Sequence, residues 1–449
     1  MKRLFGTDGI RGVANREPMT AKTAFQIGRA GAYLFKDKVS PKILVGKDTR
    51  ISGDMIESAL AAGICSMGVN VLKVGIVPTP AVAYLTRAYQ ANCGVVISAS
   101  HNPFDNNGIK YFQGSGYKFS DSEEEEIEGI YFENRTKDEW PTGKDIGKIE
   151  YLSSIATRKY IEYLKTTIPH DFNLKGIKVI LDCANGASFS IAPQLFNELG
   201  IKTITINNKP NGININHNCG STHPASLQKE VLKQQADIGL AFDGDADRVI
   251  AVDEKGNIVD GDQIMAICAL NLIKKNQLLN KKVVTTVMSN LGFDQAIKKA
   301  YGKVIRTNVG DRYVLETMQK ANAVLGGEQS GHIIFLKYGT TGDGLLTSLQ
   351  LLRVIWEEEK SLSHLASIMK KYPQIILNFR VKDKKLFYEC ININRTIKKI
   401  EKELAGEGRI FIRPSGTEPL IRILLEGQDK EKLEKISQEL KEVFEKEDI

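Results

Sequence analysis

At 449 residues the chain is past the size at which a single hydrophobic core keeps growing, and length alone suggests roughly three domains. Its 42% hydrophobic and 26% charged composition is that of an ordinary soluble globular protein, without an apolar window of about 18 residues able to cross a bilayer. The formal net charge of +7 is modest and basic residues are interspersed with acidic ones, which argues for a small anionic substrate rather than nucleic acid.

Met1-Lys2-Arg3 starts like a signal peptide, but Gly6-Thr7-Asp8-Gly9 follows where an apolar segment belongs, so a cytoplasmic location is expected. Cys65, Cys93, Cys183, Cys219, Cys268 and Cys390 are scattered with no C-x-x-C pair. They read as reduced, buried thiols, not as a disulfide framework or a zinc site. The opening stretch Phe5-Gly6-Thr7-Asp8-Gly9-Ile10-Arg11-Gly12 has a glycine every third residue, as in a turn-rich loop that brings backbone close to a ligand. Arg11 is its candidate functional residue; a simple N-terminal turn is the plain alternative.

One pattern then occurs three times: strand, helix closed by glycine, strand, and a further strand ending in a polar loop. The first copy runs through Ile43-Leu44-Val45-Gly46, a helix ending near Met67-Gly68, Val69 to Val74, and Val95 to Ile97. The second has Val179-Ile180-Leu181-Asp182, a helix ending at Leu199-Gly200, Ile201 to Ile206, and Ile238 to Phe242. The third has Val283 to Val287, a helix ending at Tyr301-Gly302, Val304-Ile305, and Val324-Leu325. Gly68, Gly200 and Gly302 are expected at left-handed helix ends. The alternation predicts three related α/β domains with largely parallel, mixed sheets. Between copies, the acidic run Glu123 to Glu126 with Glu128 reads as a solvated helical face. After Tyr372-Pro373 the pattern changes to short strands, the loop Arg413 to Pro419, the strand Leu420 to Leu425 and a helix with Leu433, Ile436, Leu440, Val443 and Phe444 on one face. That is a smaller C-terminal α+β domain. The expected divisions are 1–150, 151–253, 254–368 and 369–449.

Each third strand ends in reactive chemistry, and strand ends of this kind are where open α/β sheets bind ligands. Ser98-Ala99-Ser100-His101-Asn102-Pro103 offers two hydroxyls, one of which is expected to carry a phosphoryl group; the residues alone do not choose between them. A polar turn whose serines cap the next segment is the plain alternative, and a hydrolase nucleophile is disfavoured because the G-x-S-x-G elbow is absent. Lys110, in Asn107-Gly108-Ile109-Lys110, lies within reach of the same turn.

Asp243-Gly244-Asp245-Ala246-Asp247-Arg248 turns three carboxylates toward one point. Two unit charges 4 Å apart repel by about 4 kcal/mol at an effective dielectric of 20, so the grouping calls for a hard divalent cation such as Mg²⁺. An EF-hand is excluded: Glu254 falls at its twelfth position, but Arg248 stands where the loop needs glycine, and a strand follows where a helix should. Gly327-Glu328-Gln329-Ser330-Gly331-His332 places carboxylate, hydroxyl and imidazole at alternate positions, which share a face if the segment is extended. Arg413-Pro414-Ser415-Gly416-Thr417 with Arg422 reads as a phosphate cradle of guanidiniums, hydroxyls and free backbone N–H groups.

Taken together and in this order, these four loops resemble the α-D-phosphohexomutase superfamily, and the likeness runs from Phe5 to the end of the chain. Within it the chain most resembles the bacterial members acting on glucosamine phosphate, through Phe5 to Gly12, Gly212-Ile213-Asn214-Ile215-Asn216 with Cys219-Gly220-Ser221-Thr222-His223, and Gly327 to His332. The resemblance implies interconversion of glucosamine 6-phosphate and glucosamine 1-phosphate on the route to UDP-N-acetylglucosamine. It implies Ser100 as the phosphoserine and one Mg²⁺ held by Asp243, Asp245, Asp247 and a phosphoryl oxygen on Ser100. It also implies Glu328 and Ser330 on sugar hydroxyls, and Arg413, Ser415, Gly416 and Thr417 on the phosphate that is not reacting, with His101 and Arg422 as further substrate contacts. A sugar 1,6-bisphosphate is the expected activator and intermediate, and a homodimer is the family-level expectation. Many members have threonine at Ser98 and glycine at Ala246; neither difference touches a ligating side chain.

Three aspartates and a phosphoserine near −2, set against one divalent ion, leave a charge of about −3. Arg11, Lys110 and Arg248 are expected to surround the transferring group and match it. Lys110 and His332 are candidates for proton transfer. A sister activity on mannose or glucose phosphates would use the same residues. A non-catalytic sugar-phosphate sensor is the alternative from another class, disfavoured because the serine, the aspartates and the lysine are all present.

Overall fold

The computed structural model describes residues 4–6, 8–414 and 420–447. The apolar runs that end in polar loops become inner strands of three sheets: Cys93–Ile97 in one of six strands, Ile238–Phe242 in one of five, and Leu325–Gly327 in one of four. All residues of these strands are buried, so the first two read as continuous rather than alternating hydrophobic runs.

The same strand order recurs in all three sheets. In the first, Lys42–Lys47 lies between Asn70–Ile76 and Cys93–Ile97, parallel to both. In the second, Lys178–Asp182 lies between Lys202–Ile206 and Ile238–Phe242, again parallel. In the third, Lys282–Thr286 lies between Lys303–Thr307 and Leu325–Gly327. Each sheet is mixed, as expected, and in the same way. An antiparallel return strand, Asn106–Gln113, Val249–Asp253 or Ile333–Phe335, pairs with the third strand. Each polar loop is therefore a hairpin connection, held at both ends by the ladder. The first sheet also gains Ile10–Val13 beside Asn106–Gln113, and the parallel edge strand Ile149–Tyr151.

Two local expectations are corrected. Gly68 and Gly200 take left-handed backbone at φ 77° and 71°, but at the third helix end the left-handed residue is Tyr301, at φ 58°, one position before Gly302. The acidic run is not a single solvated face. In the helix Asp121–Phe132, Glu124 and Glu128 are buried, Glu123 is half-buried, and of the run Glu125 and Glu126 are exposed. The Glu128 carboxylate accepts the backbone N–H groups of Leu4 and Phe5 at 2.6 and 2.7 Å, and Glu124 pairs with Arg312 at 3.0 Å. Both carboxylates are internal acceptors for donors that lie far away in the chain.

The chain parts into two compact units: residues 1–288 with 300–368, and residues 289–299 with 369–449. The second contains an antiparallel sheet ordered Gln374–Arg380, Leu420–Gly427, Gly408–Pro414, covered by the helices Ile391–Leu404 and Lys430–Lys446. Leu433, Ile436 and Leu440 are buried against this sheet's Ile421, Ile423 and Leu425, with Val443 and Phe444 packed at the edge. The segment 289–299 is tied to the same unit by Leu291 N–H donating to Glu426 at 2.8 Å and by Arg409 donating to the Ser289 carbonyl at 2.7 Å. All six cysteines are free; five are buried and Cys390 is half-buried. Among the described residues no helix is long and apolar enough to cross a membrane.

Removing the Glu128 carboxylate takes the acceptor from the buried N–H of Phe5 and the part-buried N–H of Leu4. Glu128→Ala should lower the denaturant unfolding midpoint by an amount equivalent to about 1–3 kcal/mol, whereas Glu126→Ala should unfold like the parent chain.

Candidate active site

The loop after Cys93–Ile97 separates the roles of its two hydroxyls. Ser98 is fully buried and donates to Asp48 Oδ2 at 2.6 Å, while its Oγ accepts the Ser100 N–H at 3.0 Å. Ser100 takes left-handed backbone at φ 51°, a conformation that costs a non-glycine residue about 1–2 kcal/mol. Its hydroxyl turns to Asp243 Oδ2 at 2.7 Å, with His101 Nδ1 at 3.4 Å. Ser100 therefore faces the acidic loop, and Ser98 braces it from behind.

The hairpin loop Asp243–Arg248 gathers one oxygen from each of Asp243, Asp245 and Asp247 within 4.8 Å of one another. The turn is tight because Ala246 also sits in left-handed backbone, at φ 54°, and Gly244 packs so closely that a Cβ would lie 2.5 Å from the Ser100 carbonyl oxygen. Asp243 is held at both oxygens, Asp245 and Asp247 at Oδ2. Asp243 Oδ1 accepts the Arg248 N–H at 3.2 Å; Asp245 Oδ2 accepts Thr79 Oγ at 2.7 Å and lies 3.4 Å from Lys110 Nζ; Asp247 Oδ2 is 3.4 Å from His332 Nδ1. Asp245 Oδ1 and Asp247 Oδ1 are buried without a hydrogen bond. Burial and the charges of Asp247 and Asp245 push the Asp243 carboxyl well above its ordinary range. Burial pushes Asp247 upward too, but His332, Lys110 and Arg248 outweigh it and hold that carboxyl low. Three carboxylates converging with hard oxygens, two of them each with a buried oxygen that has no hydrogen bond, fit a hard divalent cation.

The cations hinge on Asp8. Arg11 donates to the Asp8 carboxylate, Lys110 Nζ is 3.1 Å from Oδ2, and Lys118 Nζ is 2.7 Å from Oδ1. Lys118 also pairs with Asp311, which lies 3.9 Å from His332 Nε2. Burial alone would raise the Asp8 pKa; Lys110, Lys118 and Arg11 together drive it well below the usual range. Burial likewise works against the charge on Lys110, but Asp8 and Asp245 keep it an ammonium. Arg248 is half-buried, and its Nε, itself buried, lies 3.7 Å from Asp247. The structure thus brings Arg11, Lys110 and Arg248 into one network with the acidic loop, and adds Asp8, Thr79, Lys118 and Asp311, which the sequence reading did not single out. Asp8 lies in the glycine-rich opening stretch and could have been flagged there; the other three carry no local signal.

The segment Glu328–His332 is not extended, so the expected shared face is absent. Gly331 N–H donates to the Glu328 carbonyl at 3.0 Å, closing a turn that leaves Ser330 exposed and His332 buried. Glu328 Oε1 accepts the Gly310 N–H at 3.1 Å. The turn abuts the acidic hairpin: Val249 N–H donates to the Gly331 carbonyl at 3.2 Å, and a Cβ on Gly331 would lie 2.2 Å from the Val249 carbonyl oxygen. His332 Nε2 accepts the Gly342 N–H at 3.0 Å, which assigns the ring proton to Nδ1, facing Asp247. Asp247 and Asp311 raise the ring pKa against its burial, yet protonating Nε2 would break the Gly342 bond. His332 thus has both nitrogens engaged. His101, whose pKa is pushed down to about 4 by burial and by Arg248 and Arg11, is the neutral imidazole facing Ser100.

In the second unit, Arg413 and Arg422 stand directly opposite each other in the antiparallel ladder. Cross-strand neighbours of this kind share one face of the sheet. Ser415, Gly416 and Thr417 lie outside the described residues.

Comparison with known proteins covers the whole chain. Family models described as phosphoglucomutase/phosphomannomutase match in all four parts: α/β/α domain I over residues 2–138, domain II over 158–256, domain III over 260–372 and the C-terminal domain over 376–443. The chain is 56% identical over 450 residues to phosphoglucosamine mutase of Acetivibrio thermocellus, covering 99% of each. Among solved structures it resembles a phosphoglucomutase/phosphomannomutase family protein of Burkholderia thailandensis, with TM-score 0.80 and 25% identity, covering 98% of this chain and 96% of that one. It also shares the fold of Aspergillus fumigatus N-acetylphosphoglucosamine mutase, solved in complex with GlcNAc-6P and magnesium, with TM-score 0.69 and 16% identity over 99% and 96% of the two chains.

A cation bound by the three aspartates stabilises the folded chain, by about 2.7 kcal/mol at 100 times its dissociation constant. Mg²⁺ should accordingly raise the melting temperature, and Asp245→Asn should lose most of that rise in a calorimetric scan. An undiminished rise in the variant would place the ion elsewhere.

Proposed function

The chain belongs to the phosphoglucomutase/phosphomannomutase family, and on that premise we propose that it interconverts glucosamine 6-phosphate and glucosamine 1-phosphate through a phosphoserine at Ser100. It is a phosphohexomutase, an isomerase. The observation that carries the mechanism is the Ser100 hydroxyl, held 2.7 Å from Asp243 at the mouth of a buried three-aspartate loop. The choice of hexosamine over other hexoses is supported by the 56% identity to phosphoglucosamine mutase over the full length.

In the first half-reaction the bond from Ser100 Oγ to phosphorus breaks and a bond from phosphorus to the free sugar hydroxyl forms, giving a sugar 1,6-bisphosphate. The hydroxyl proton leaves to a nearby base and the serine oxygen regains one. The second half-reaction runs this in reverse with the sugar's other phosphate, after the bisphosphate has turned over. Such transfer depends on position and charge neutralisation more than on covalent help. Mg²⁺ held by Asp243, Asp245 and Asp247 would supply a divalent charge beside the phosphoryl oxygens. Arg11, Lys110 and Arg248 supply the remaining positive charge; Lys110, paired with both Asp8 and Asp245, acts as an electrostatic clamp. His101 is the imidazole within reach of the Ser100 oxygen. Glu328 and Ser330 take sugar hydroxyls, and Arg413 and Arg422, with Ser415, Gly416 and Thr417, take the distal phosphate. The domain divisions near residues 150, 253 and 368, a cytoplasmic location and a homodimer complete the proposal.

Ser100→Ala should abolish turnover while glucosamine 6-phosphate still binds, and the parent protein should show one removable phosphate by intact mass before and after phosphatase treatment. Assayed with Mg²⁺ and a hexose 1,6-bisphosphate, the protein should favour glucosamine phosphate over mannose and glucose phosphates in kcat/KM. A preference for either of the latter would reassign the substrate and leave the serine chemistry standing.

A further inference from the structure

The Arg50 guanidinium is fully buried, and all five of its N–H groups are engaged. Nε donates to Asp48 Oδ2 at 2.9 Å. Nη2 donates to the carbonyls of Ser100 at 2.9 Å and Asn102 at 2.8 Å, and Nη1 to those of Asn106 at 3.0 Å and of Pro103. One side chain thus gathers three carbonyls of the loop between Cys93–Ile97 and Asn106–Gln113 and the first carbonyl of the return strand. The planar guanidinium fork is the side chain able to reach four carbonyls at once.

A second group closes on the same loop from the neighbouring sheet's side. Asn216 Nδ2 donates to the Ser100 carbonyl at 2.9 Å and to the Asn102 carbonyl at 3.1 Å, so both oxygens receive one N–H from Arg50 and one from Asn216. The other face of Ser100 is braced as well: its N–H donates to Ser98 Oγ, and Ser98 donates to Asp48, the carboxylate that neutralises Arg50. Ser100 is therefore held at its N–H and at its C=O by one connected network while its backbone stays in the left-handed region, at φ 51°.

We propose that Arg50 and Asn216 are positioning residues for phosphoryl transfer. They hold the Ser100 peptide so that its phosphoryl group is presented to the aspartate loop at the same place in both half-reactions, and they touch neither sugar nor phosphate. The inference rests on Ser100 being the phosphoryl carrier. A displacement of the reacting atoms by about 1 Å costs about 100-fold in rate, so a loosened clamp acts on kcat and spares ground-state binding.

Arg50→Lys keeps the charge and loses the fork; Asn216→Ala removes the second donor at the other side of the loop. Both are compared with the parent and with Ser100→Ala in steady-state assays, and in single-turnover transfer from phosphoserine to glucosamine phosphate followed by intact mass. Arg50→Lys should lower kcat by about 100-fold and Asn216→Ala by about 10-fold, with KM within about threefold of the parent and single-turnover transfer slowed by the same factors as kcat. If Arg50→Lys does not fold, Asn216→Ala, which touches the same two carbonyls, decides. Parent-like single-turnover rates in the folded variants, or a loss confined to KM, would overturn the proposal. Activity surviving in Ser100→Ala would instead overturn the carrier assignment itself, which separates the two failures.

Discussion

Three carboxylates within 4.8 Å of one another, buried in a hairpin loop, are the constraint around which the larger unit is arranged. Such a cluster is tolerable only if charge of the opposite sign is brought to it, and the chain does this from several directions. Lys110 comes from a return strand, Arg248 from the loop itself and the His332 N–H from the third sheet's hairpin, while Arg11, on the N-terminal strand, joins through Asp8, which also pairs with Lys110. Lys118 links Asp8 to Asp311. The two aspartate oxygens without a hydrogen bond, Asp245 Oδ1 and Asp247 Oδ1, fit a divalent ion.

The recurring strand order explains how three loops from distant parts of the chain meet. Each sheet ends its third strand in a hairpin, so the functional loops are short, anchored at both ends and projected from the same edge of equivalent sheets. Contacts then run from loop to loop: Ser100 to Asp243, Thr79 N–H to the Asp245 carbonyl at 2.9 Å, Asp247 to His332 and Val249 to Gly331. Glycines occur where backbones approach too closely for a Cβ, as at Gly244 beside the Ser100 carbonyl and Gly331 beside Val249.

Arg50 shows why a serine in a strained conformation needs a dedicated support. The guanidinium is matched by Asp48, so the pair adds no net charge to an already crowded electrostatic site. Its other four hydrogen bonds go to backbone carbonyls. Ser98, the hydroxyl that rivalled Ser100 on sequence grounds, is part of this support and unavailable for chemistry.

What the amino-acid sequence determined by itself was whatever rests on local pattern. The strand Ile238–Phe242 could be read to the residue, the three repeated α/β units from their periodicity, and the acidic triad from the repulsion its spacing implies. The resemblance to a known superfamily was also legible, and through it Ser100 rather than Ser98. Only the tertiary structure decided which charges are partners. It turned Glu124 and Glu128 from a solvated face into buried acceptors, replaced the extended Glu328–His332 segment by a turn, moved a left-handed helix end from Gly302 to Tyr301, and revealed Asp8, Lys118, Asp311, Arg50 and Asn216. The physical reason is range. Hydrophobic periodicity is written in neighbouring residues, whereas an ion pair or a carbonyl clamp exists only once groups such as Lys118 and Asp311, or Asn216 and Ser100, more than 100 positions apart, are brought within hydrogen-bonding distance.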